Sequence, residues 1–265
     1  MTNLIKSDLY RLKKNKTFKK CIFSMAIFII LITSLFSEPG SEIGIITTQV
    51  DNRMYGFVLN SSLVREGPME IFSIALGFTG IICIMLLFIV GELVMERYEF
   101  GVIKNTVSYG HNRYKIYISN LSCIFVAIIL LSIMTIVVSC GIWNVIYGMN
   151  KGITGSEFTM ILKVIIVWLI ILCAMASIYT MIHTLARKKT TVLGLSVLFV
   201  VFIPMSLIEL KISYINYKIP MLMLMDLCSM PFNNELLVTF LVNSILIILI
   251  STILGCIIFN KQDIK

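Results

Sequence analysis

Residues 71–91 read IFSIALGFTGIICIMLLFIVG, a stretch of 21 residues without a charged side chain. A helix rises about 1.5 Å per residue, so this stretch would form a helix of about 30 Å, the thickness of the hydrocarbon core of a bilayer. Five further apolar runs of comparable character occur along the chain. We therefore predict an all-α membrane protein with six transmembrane helices, with approximate cores at residues 21–36, 71–91, 118–141, 161–182, 191–208 and 236–259.

The composition agrees with this class. The 265 residues are 58% hydrophobic and 14% charged, with a mean hydropathy of +0.96, whereas a soluble domain is about 45–50% apolar and about 25% charged. A water-soluble enzyme and a disordered chain are both excluded. The first run follows a lysine-rich segment and could be a signal peptide, but no small-residue cleavage site follows it, which favours a retained span. We predict a single membrane domain over residues 1–265.

The basic residues predict the orientation. If the N-terminus is cytoplasmic, sixteen of the 22 lysines and arginines fall on the cytoplasmic side, as the positive-inside rule requires. Both termini are therefore predicted to be cytoplasmic. The net charge is +8. We interpret the basic residues behind it as determinants of topology and as contacts with anionic lipid, and not as a nucleic-acid surface.

The chain lacks the residues that would supply energy or catalysis by itself. No phosphate-binding loop of the G-x-x-x-x-G-K-[ST] type is present, so the chain is not expected to hydrolyse ATP. Glu92, Lys163, Glu209 and His183 lie at predicted span ends, where we interpret them as interfacial polar groups, although an ion relay stays open. His111 and His183 have no partner at metal-ligand spacing, and the seven cysteines show no CxxC motif. We predict no catalytic residue, no metal site and no cofactor in this chain.

The first 20 residues are predicted to form a cytoplasmic amphipathic helix. The apolar residues fall on one stripe and the basic residues on the other face. The stripe contains Met1, Leu4, Ile5, Leu9 and Leu12, and the opposite face contains Lys6, Lys13 and Lys14. Asp8 falls on the apolar stripe, so either it pairs with a base on another segment or on a partner, or it is a partly exposed acid at the stripe's edge.

The cytoplasmic loop at residues 95–115 is the most informative segment. Phe100, Ile103 and Val107 recur at helical spacing, and Gly101 and Gly110 stand near the two ends. This pattern favours a short separate helix whose apolar side packs on another surface. The alternative is that the two flanking spans simply extend and meet in a tight turn.

At these residues the chain resembles the permease subunits of ATP-binding-cassette (ABC) transporters of the type-2 exporter class. The residues that carry the resemblance are the opening LIKSDLYRLK at 4–13, the acids Glu92, Glu96 and Glu99, the run GVIKN at 101–105 with Gly110, Arg113, Ile116 and Tyr117 after it, and the closing FNKQDI at 259–264. The resemblance covers the whole chain as topology, and its sequence specificity is concentrated in the loop.

The resemblance implies a partner. In that family the loop after the second span carries a coupling helix that binds a separate ATPase subunit. The residues that would contact the ATPase here are Glu99, Phe100, Gly101, Lys104, Asn105 and Ser108, with Asp8 and Arg11 nearby on the interface helix. Two ATPase subunits, which carry ATP and Mg²⁺, would work with two permeases, either two copies of this chain or this chain and a sister permease. Alternating access in a bacterial plasma membrane is the implied mechanism.

The remaining features concern the substrate path. Pro204 would permit a kink in the fifth span, and the family has a short re-entrant helix pair where residues 220–226 lie. The methionines there either adapt to apolar ligands or fill gaps between helices. The resemblance implies export of an amphipathic substrate, such as a cationic or antimicrobial peptide or a lipid-like molecule. The alternatives are an ion-coupled secondary transporter and a non-transporting membrane sensor or immunity protein.

Overall fold

A computed structural model describes residues 2–35, 42–50, 53–60, 67–147, 152–186, 218–228 and 232–262, together with the single residues 194, 197, 198, 202 and 206. The elements are α1 (Thr2–Lys14), α2 (Lys16–Leu35), β1 (Glu42–Val50), β2 (Arg53–Asn60), α3 (Pro68–Gly77), α4 (Thr79–Glu99), α5 (Val102–Ser108), α6 (Arg113–Tyr147), α7 (Gly155–Ala186), α8 (Pro220–Cys228) and α9 (Asn234–Lys261).

Five helical segments in the described part of the chain are long and apolar enough to cross a membrane: α2, the joined pair α3 and α4, α6, α7 and α9. The chain is therefore a multi-pass helical membrane protein. Five of the six predicted cores fall on these helices. The sixth, at residues 191–208 with Pro204, lies outside the described residues apart from a few isolated positions.

The spanning helices differ in how much of them is covered. In the segment Pro68–Tyr98, 83% of the most apolar stretch is buried, whereas the corresponding share is 22% in α2 and 17% in α9. The joined helices α3 and α4 therefore form the centre of the bundle. The exposed apolar side chains of α2 and α9 form faces that suit contact with lipid.

One helix extends well past the bilayer. α6 has 35 residues, which corresponds to a length of about 52 Å, against a hydrocarbon core of about 30 Å. The first turn carries Arg113 and Lys115, so this end is the one that projects beyond the core. It provides a platform on which α1 and α5 pack.

The sequence did not predict the hairpin formed by β1 and β2. The two strands pair antiparallel from Glu42 opposite Asn60 to Val50 opposite Arg53, in a region expected to be loop. The hairpin packs on α3 and α8, and Phe57 and Leu59 are buried there. We call the end formed by β1, β2, α3 and α8 the hairpin end.

Close contact with the hairpin explains a glycine at the break between α3 and α4. A Cβ added to Gly77 would lie 2.7 Å from the backbone oxygen of Val58 and 2.8 Å from Cδ2 of Leu59. These distances are shorter than van der Waals contact, so only glycine lets β2 approach this closely. α3 ends at Gly77, and α4 begins after Phe78.

The methionine-rich segment lies in the core. α8 is one helix in which Met221, Met223 and Met225 are fully buried. The interpretation that these methionines fill gaps between helices is confirmed. The described residues show this single helix at the position where the resemblance implied a re-entrant pair.

Candidate functional site

Most of the buried charge and side-chain hydrogen bonding between helices lies at the end opposite the hairpin. There α1 packs on α6 and contacts α4, α5 packs on α4, α6 and α9, and the ends of α7 and α9 meet through Gln262. We call this the network end. The residues that we name the polar network are Asp8, Arg11, Asn15, Glu96, Arg97, Tyr98, Arg113, Ser119, Thr184 and Gln262.

An ion pair between Asp8 and Arg97 joins α1 to α4. Both residues are almost fully buried, with exposed fractions of 7% and 6%. Ser119 Oγ of α6 donates a hydrogen bond of 2.5 Å to Asp8 Oδ2, and Cys123 Sγ donates to the backbone oxygen of Asp8 at 3.3 Å. Of the two alternatives for Asp8, pairing with a base on another segment is confirmed, and the partly exposed acid is wrong. Asp8 therefore links α1 to α4 and α6.

A second contact fixes the end of α1. Arg11 Nη2 lies 3.5 Å from Glu96 Oε2, and Asn15 Nδ2 donates to the same oxygen at 3.3 Å. Asn15 Oδ1 also accepts a 2.8 Å hydrogen bond from the backbone N–H of Phe18, which is the contact of an N-cap residue. Asn15 thus separates α1 from α2 and ties their junction to α4.

Gln262 joins the last turns of the bundle. Tyr98 Oη donates to Gln262 Oε1 at 3.0 Å, and Gln262 Nε2 donates to the backbone oxygen of Thr184. Arg113 Nη1 donates to the backbone oxygens of Asn260, at 2.8 Å, and Gln262, at 2.6 Å. Through these contacts the ends of α4, α7 and α9 are held to the start of α6.

The predicted short helix is present. α5 spans Val102–Ser108, and Gly101 before it and Gly110 after it have positive φ angles of 63° and 84°. Side chains other than glycine rarely adopt such angles, so these glycines set the turns at both ends. The prediction of a discrete helix is confirmed, and the alternative of two extended spans joined by one tight turn is wrong.

α5 packs on the bundle through one anchor. Ile103 is buried against Ile116, Tyr117, Leu121 and Phe259. Val107 contacts the edge of this cluster. The surface on which α5 packs is therefore provided by α6 and α9 of the same chain.

The opposite side of α5 is exposed. Lys104, Asn105 and Ser108 are exposed, as are Phe100 and Tyr109, whose exposed fractions are 71% and 83%. The expectation that Phe100 shares the packed stripe of Ile103 is wrong, because the left-handed turn at Gly101 separates Phe100 from the helix. α4 ends at Glu99, whose side chain lies outside what the structure describes.

A small cavity lies beneath α5. Its volume is about 20 Å³, enough for about one water molecule. Its polar lining comes from Arg97, Tyr98, Tyr117, Asn120 and Thr184. The buried Tyr117 Oη has no hydrogen-bond partner in the described part of the chain. This cavity is too small for an exported substrate.

The two histidines have different environments. His111 is exposed, whereas His183 is fully buried. His183 Nδ1 lies 2.7 Å from the backbone oxygen of Tyr179, and Nε2 has no partner among the described residues. The interpretation of His183 as an interfacial polar group is therefore wrong, because the side chain packs inside the bundle. Among the described residues, no group of three or more His, Cys, Asp or Glu side chains could hold a metal ion.

The chain matches no protein-family model, and no curated protein matches it.

Sequence reasoning missed several members of the polar network. Arg97, Ser119 and Gln262 had no assigned role, although the position of Asp8 on an apolar stripe had a pair with a base as one of its two interpretations. The sequence signal for Arg97 is its place at the end of a long apolar run, where an arginine can reach a neighbouring segment.

Proposed function

We propose that this chain is the membrane-spanning subunit of an ATP-driven ABC exporter. The observation that carries the proposal is α5, a short helix between two spanning segments. Ile103 anchors the face of α5 that packs on the bundle, and Lys104, Asn105 and Ser108 are exposed on the opposite face. This exposed face suits a protein partner, because it combines polar groups with the adjacent aromatic side chains of Phe100 and Tyr109.

The polar network supports the proposal because it connects α5 to the spans. Arg97 lies five residues before α5 and pairs with Asp8, and Ser119 links the same carboxylate to α6. A displacement of α5 by a partner would move α4, α6 and α1 together. Rigid-body movement of helices is how a separate ATPase could drive alternating access.

The proposed partner surface comprises Glu99, Phe100, Gly101, Lys104, Asn105 and Ser108. Arg11 is half-buried and contacts Glu96, which precedes Glu99 by one helical turn. Asp8 is buried, so in this proposal it positions α1 and does not touch the ATPase itself. ATP and Mg²⁺ would be held by the ATPase.

The remaining parts of the proposal follow from charge and composition. Six spans with both termini in the cytoplasm would place α1, α5 and their lysines on the side where ATP is available. The complex would contain two ATPase subunits and a second permease copy or a sister permease in a bacterial plasma membrane. An amphipathic molecule, such as a cationic or antimicrobial peptide or a lipid-like molecule, suits apolar spans and outer loops that would contain acids such as Glu38, Glu42 and Asp51.

Affinity purification of the tagged chain from its native membranes tests the proposal. We expect an ATPase to co-purify, and Lys104→Glu to reduce both its recovery and its coupled ATP hydrolysis. The matched control is Lys261→Glu, which makes the same change at an exposed lysine of the same end. Substrate transport by the purified chain in liposomes without an ATPase would contradict the proposal.

His183 favours one second candidate, an ion-coupled secondary transporter. A buried imidazole with one unpaired nitrogen is a group that proton relays use. In that case transport would stop when the proton gradient is collapsed, and His183→Gln would abolish it. The ABC proposal expects transport to continue without the gradient as long as ATP is supplied.

A further inference from the structure

The first turns of α2 carry a compact cationic face. Lys16, Lys19 and Lys20 are all exposed. At about 100° per residue, they fall within a sector of about 100° on the helix. Phe18 and Met25 are buried on the other side, against the bundle. The three ammonium groups are thus directed away from the protein.

An apolar stripe continues the same face along α2. Phe23, Ile27, Ile30 and Leu31 are exposed, with Phe23 the most exposed at 68%. Helical spacing places Phe23, Ile27 and Ile30 within the same sector as the three lysines, and Leu31 about 20° beyond its edge. One face of α2 therefore carries a cationic head followed by an apolar stripe.

The lysines are not neutralised by the protein. Within α1 and α2 the one acidic residue is Asp8, which is buried and paired with Arg97. Glu96 of α4 contacts Arg11, and Glu92 lies near Cys21, on a different flank of α2. In the described part of the chain, none of the three lysines forms an ion pair. Lys13 and Lys14 at the end of α1 are exposed and add to the positive charge.

The dimensions of this face match one leaflet. Lys20 and Leu31 are eleven residues apart, about 16 Å along a helix. Half of the hydrocarbon core is about 15 Å. A molecule with an anionic head at the lysines would therefore lay its chains along the whole apolar stripe.

We propose that this face of α2 is a binding site for an anionic phospholipid. The lysines bind the headgroup phosphate, and Phe23, Ile27, Ile30 and Leu31 contact the acyl chains. This site does not depend on the ATPase partnership and would serve either class of transporter. A second copy of the chain is the competing occupant. A two-fold axis along the membrane normal would place the lysines of the two copies at the same height, where like charges repel.

Lipid selectivity tests the site. The full-length chain is placed in nanodiscs of phosphatidylcholine, and the relative association of spin-labelled phosphatidylglycerol and phosphatidylcholine is measured. The variant Lys16→Gln/Lys19→Gln/Lys20→Gln should lower the preference for phosphatidylglycerol by at least about tenfold. The matched control Lys6→Gln/Lys115→Gln/Lys261→Gln removes the same amount of charge from the same end of the protein. It should change the preference for phosphatidylglycerol by less than about twofold. Equal losses in the two variants, or no preference in the wild type, overturn the proposal.

A second measurement leaves the lysines intact. A photo-crosslinking phenylalanine analogue replaces Phe23 in one protein and Phe88, an exposed phenylalanine of α4, in another. We expect the phosphatidylglycerol share of the lipid adducts to be several-fold higher at position 23 than at position 88. Equal shares at the two positions, or a crosslinked dimer as the main product at position 23, overturn the proposal.

Discussion

The two ends of the bundle are held together by different forces. At the network end, α1, α4 and α6 meet through the buried ion pair of Asp8 and Arg97 and the hydrogen bond from Ser119. At the hairpin end, β2 packs on α3 through the buried side chains of Phe57 and Leu59. Apolar packing depends on complementary shape and volume, whereas buried polar contacts require specific partners at specific distances. The helices are thus fixed most specifically at the end where we propose that a partner acts.

The largest expected effect is at the ion pair. Arg97→Met should destabilise the protein by about 3–5 kcal/mol, because it leaves the carboxylate of Asp8 buried without its partner. Thermal unfolding in detergent measures this as a lower Tm. The double variant Asp8→Leu/Arg97→Met should recover much of the loss, since both charges are then gone. An Arg97→Met protein as stable as the wild type would contradict the role given to the network.

At the hairpin end, added side-chain volume should lower the stability of the protein. Gly77→Ala should cost about 1–3 kcal/mol, because the new methyl group would lie 2.7 Å from the backbone oxygen of Val58, which cannot move aside easily. Gly141→Ala in α6 is the matched control, since a Cβ there meets nothing within 4 Å. The same unfolding assay should show the control unchanged or slightly more stable. Equal Tm values for the two variants would contradict the close contact between β2 and α3.

Loss of the side-chain hydrogen bonds of Gln262 should have a smaller effect on stability. Gln262→Leu removes the side-chain contacts with Tyr98 and Thr184 and should cost about 1–2 kcal/mol through their unsatisfied polar groups. Gln262→Glu keeps the acceptor for Tyr98 Oη but places a buried carboxylate oxygen against the backbone oxygen of Thr184, so it should cost at least as much. A Tm equal to that of the wild type in either variant would contradict these contacts.

The smallest effect on stability is expected on the exposed face of α5. Lys104→Glu should change the free energy of unfolding by less than about 0.5 kcal/mol, as is usual for exposed positions. If that face binds an ATPase, the same substitution should still lower coupled ATP hydrolysis several-fold. Activity and Tm measured on one preparation separate the two roles. A loss of activity that tracks a loss of Tm would indicate a structural role only.

The sequence was sufficient for features that depend on local pattern. Long apolar runs predicted the five spanning helices in the described part of the chain. The spacing of Phe100, Ile103 and Val107 between Gly101 and Gly110 predicted α5, although Phe100 proved to lie outside the helix. Asp8 on an apolar stripe left two alternatives open, a pair with a base or a partly exposed acid, and the sequence does not say which base lies nearby in space. Arg97 therefore had to come from the structure.

The hairpin was missed although its signal was present. A run rich in β-branched residues at 43–50 and a run with Tyr55, Phe57 and Val58 flank the turn-favouring pair Asp51 and Asn52, and strand-forming runs on both sides of a short turn indicate a hairpin. In a chain so dominated by apolar helices, the segment was interpreted as a loop. The close approach at Gly77 could not be predicted, because it depends on how β2 packs against α3.

The central claim is that α5 binds a nucleotide-hydrolysing partner. The most direct measurement replaces Lys104 with a photo-crosslinking residue in the full chain and identifies the adducts formed in native membranes. The account predicts an adduct with an ATPase, with a yield that changes when a non-hydrolysable ATP analogue is added. Adducts without any ATPase, or labelling of this position from outside the cell by an impermeant reagent, would contradict it.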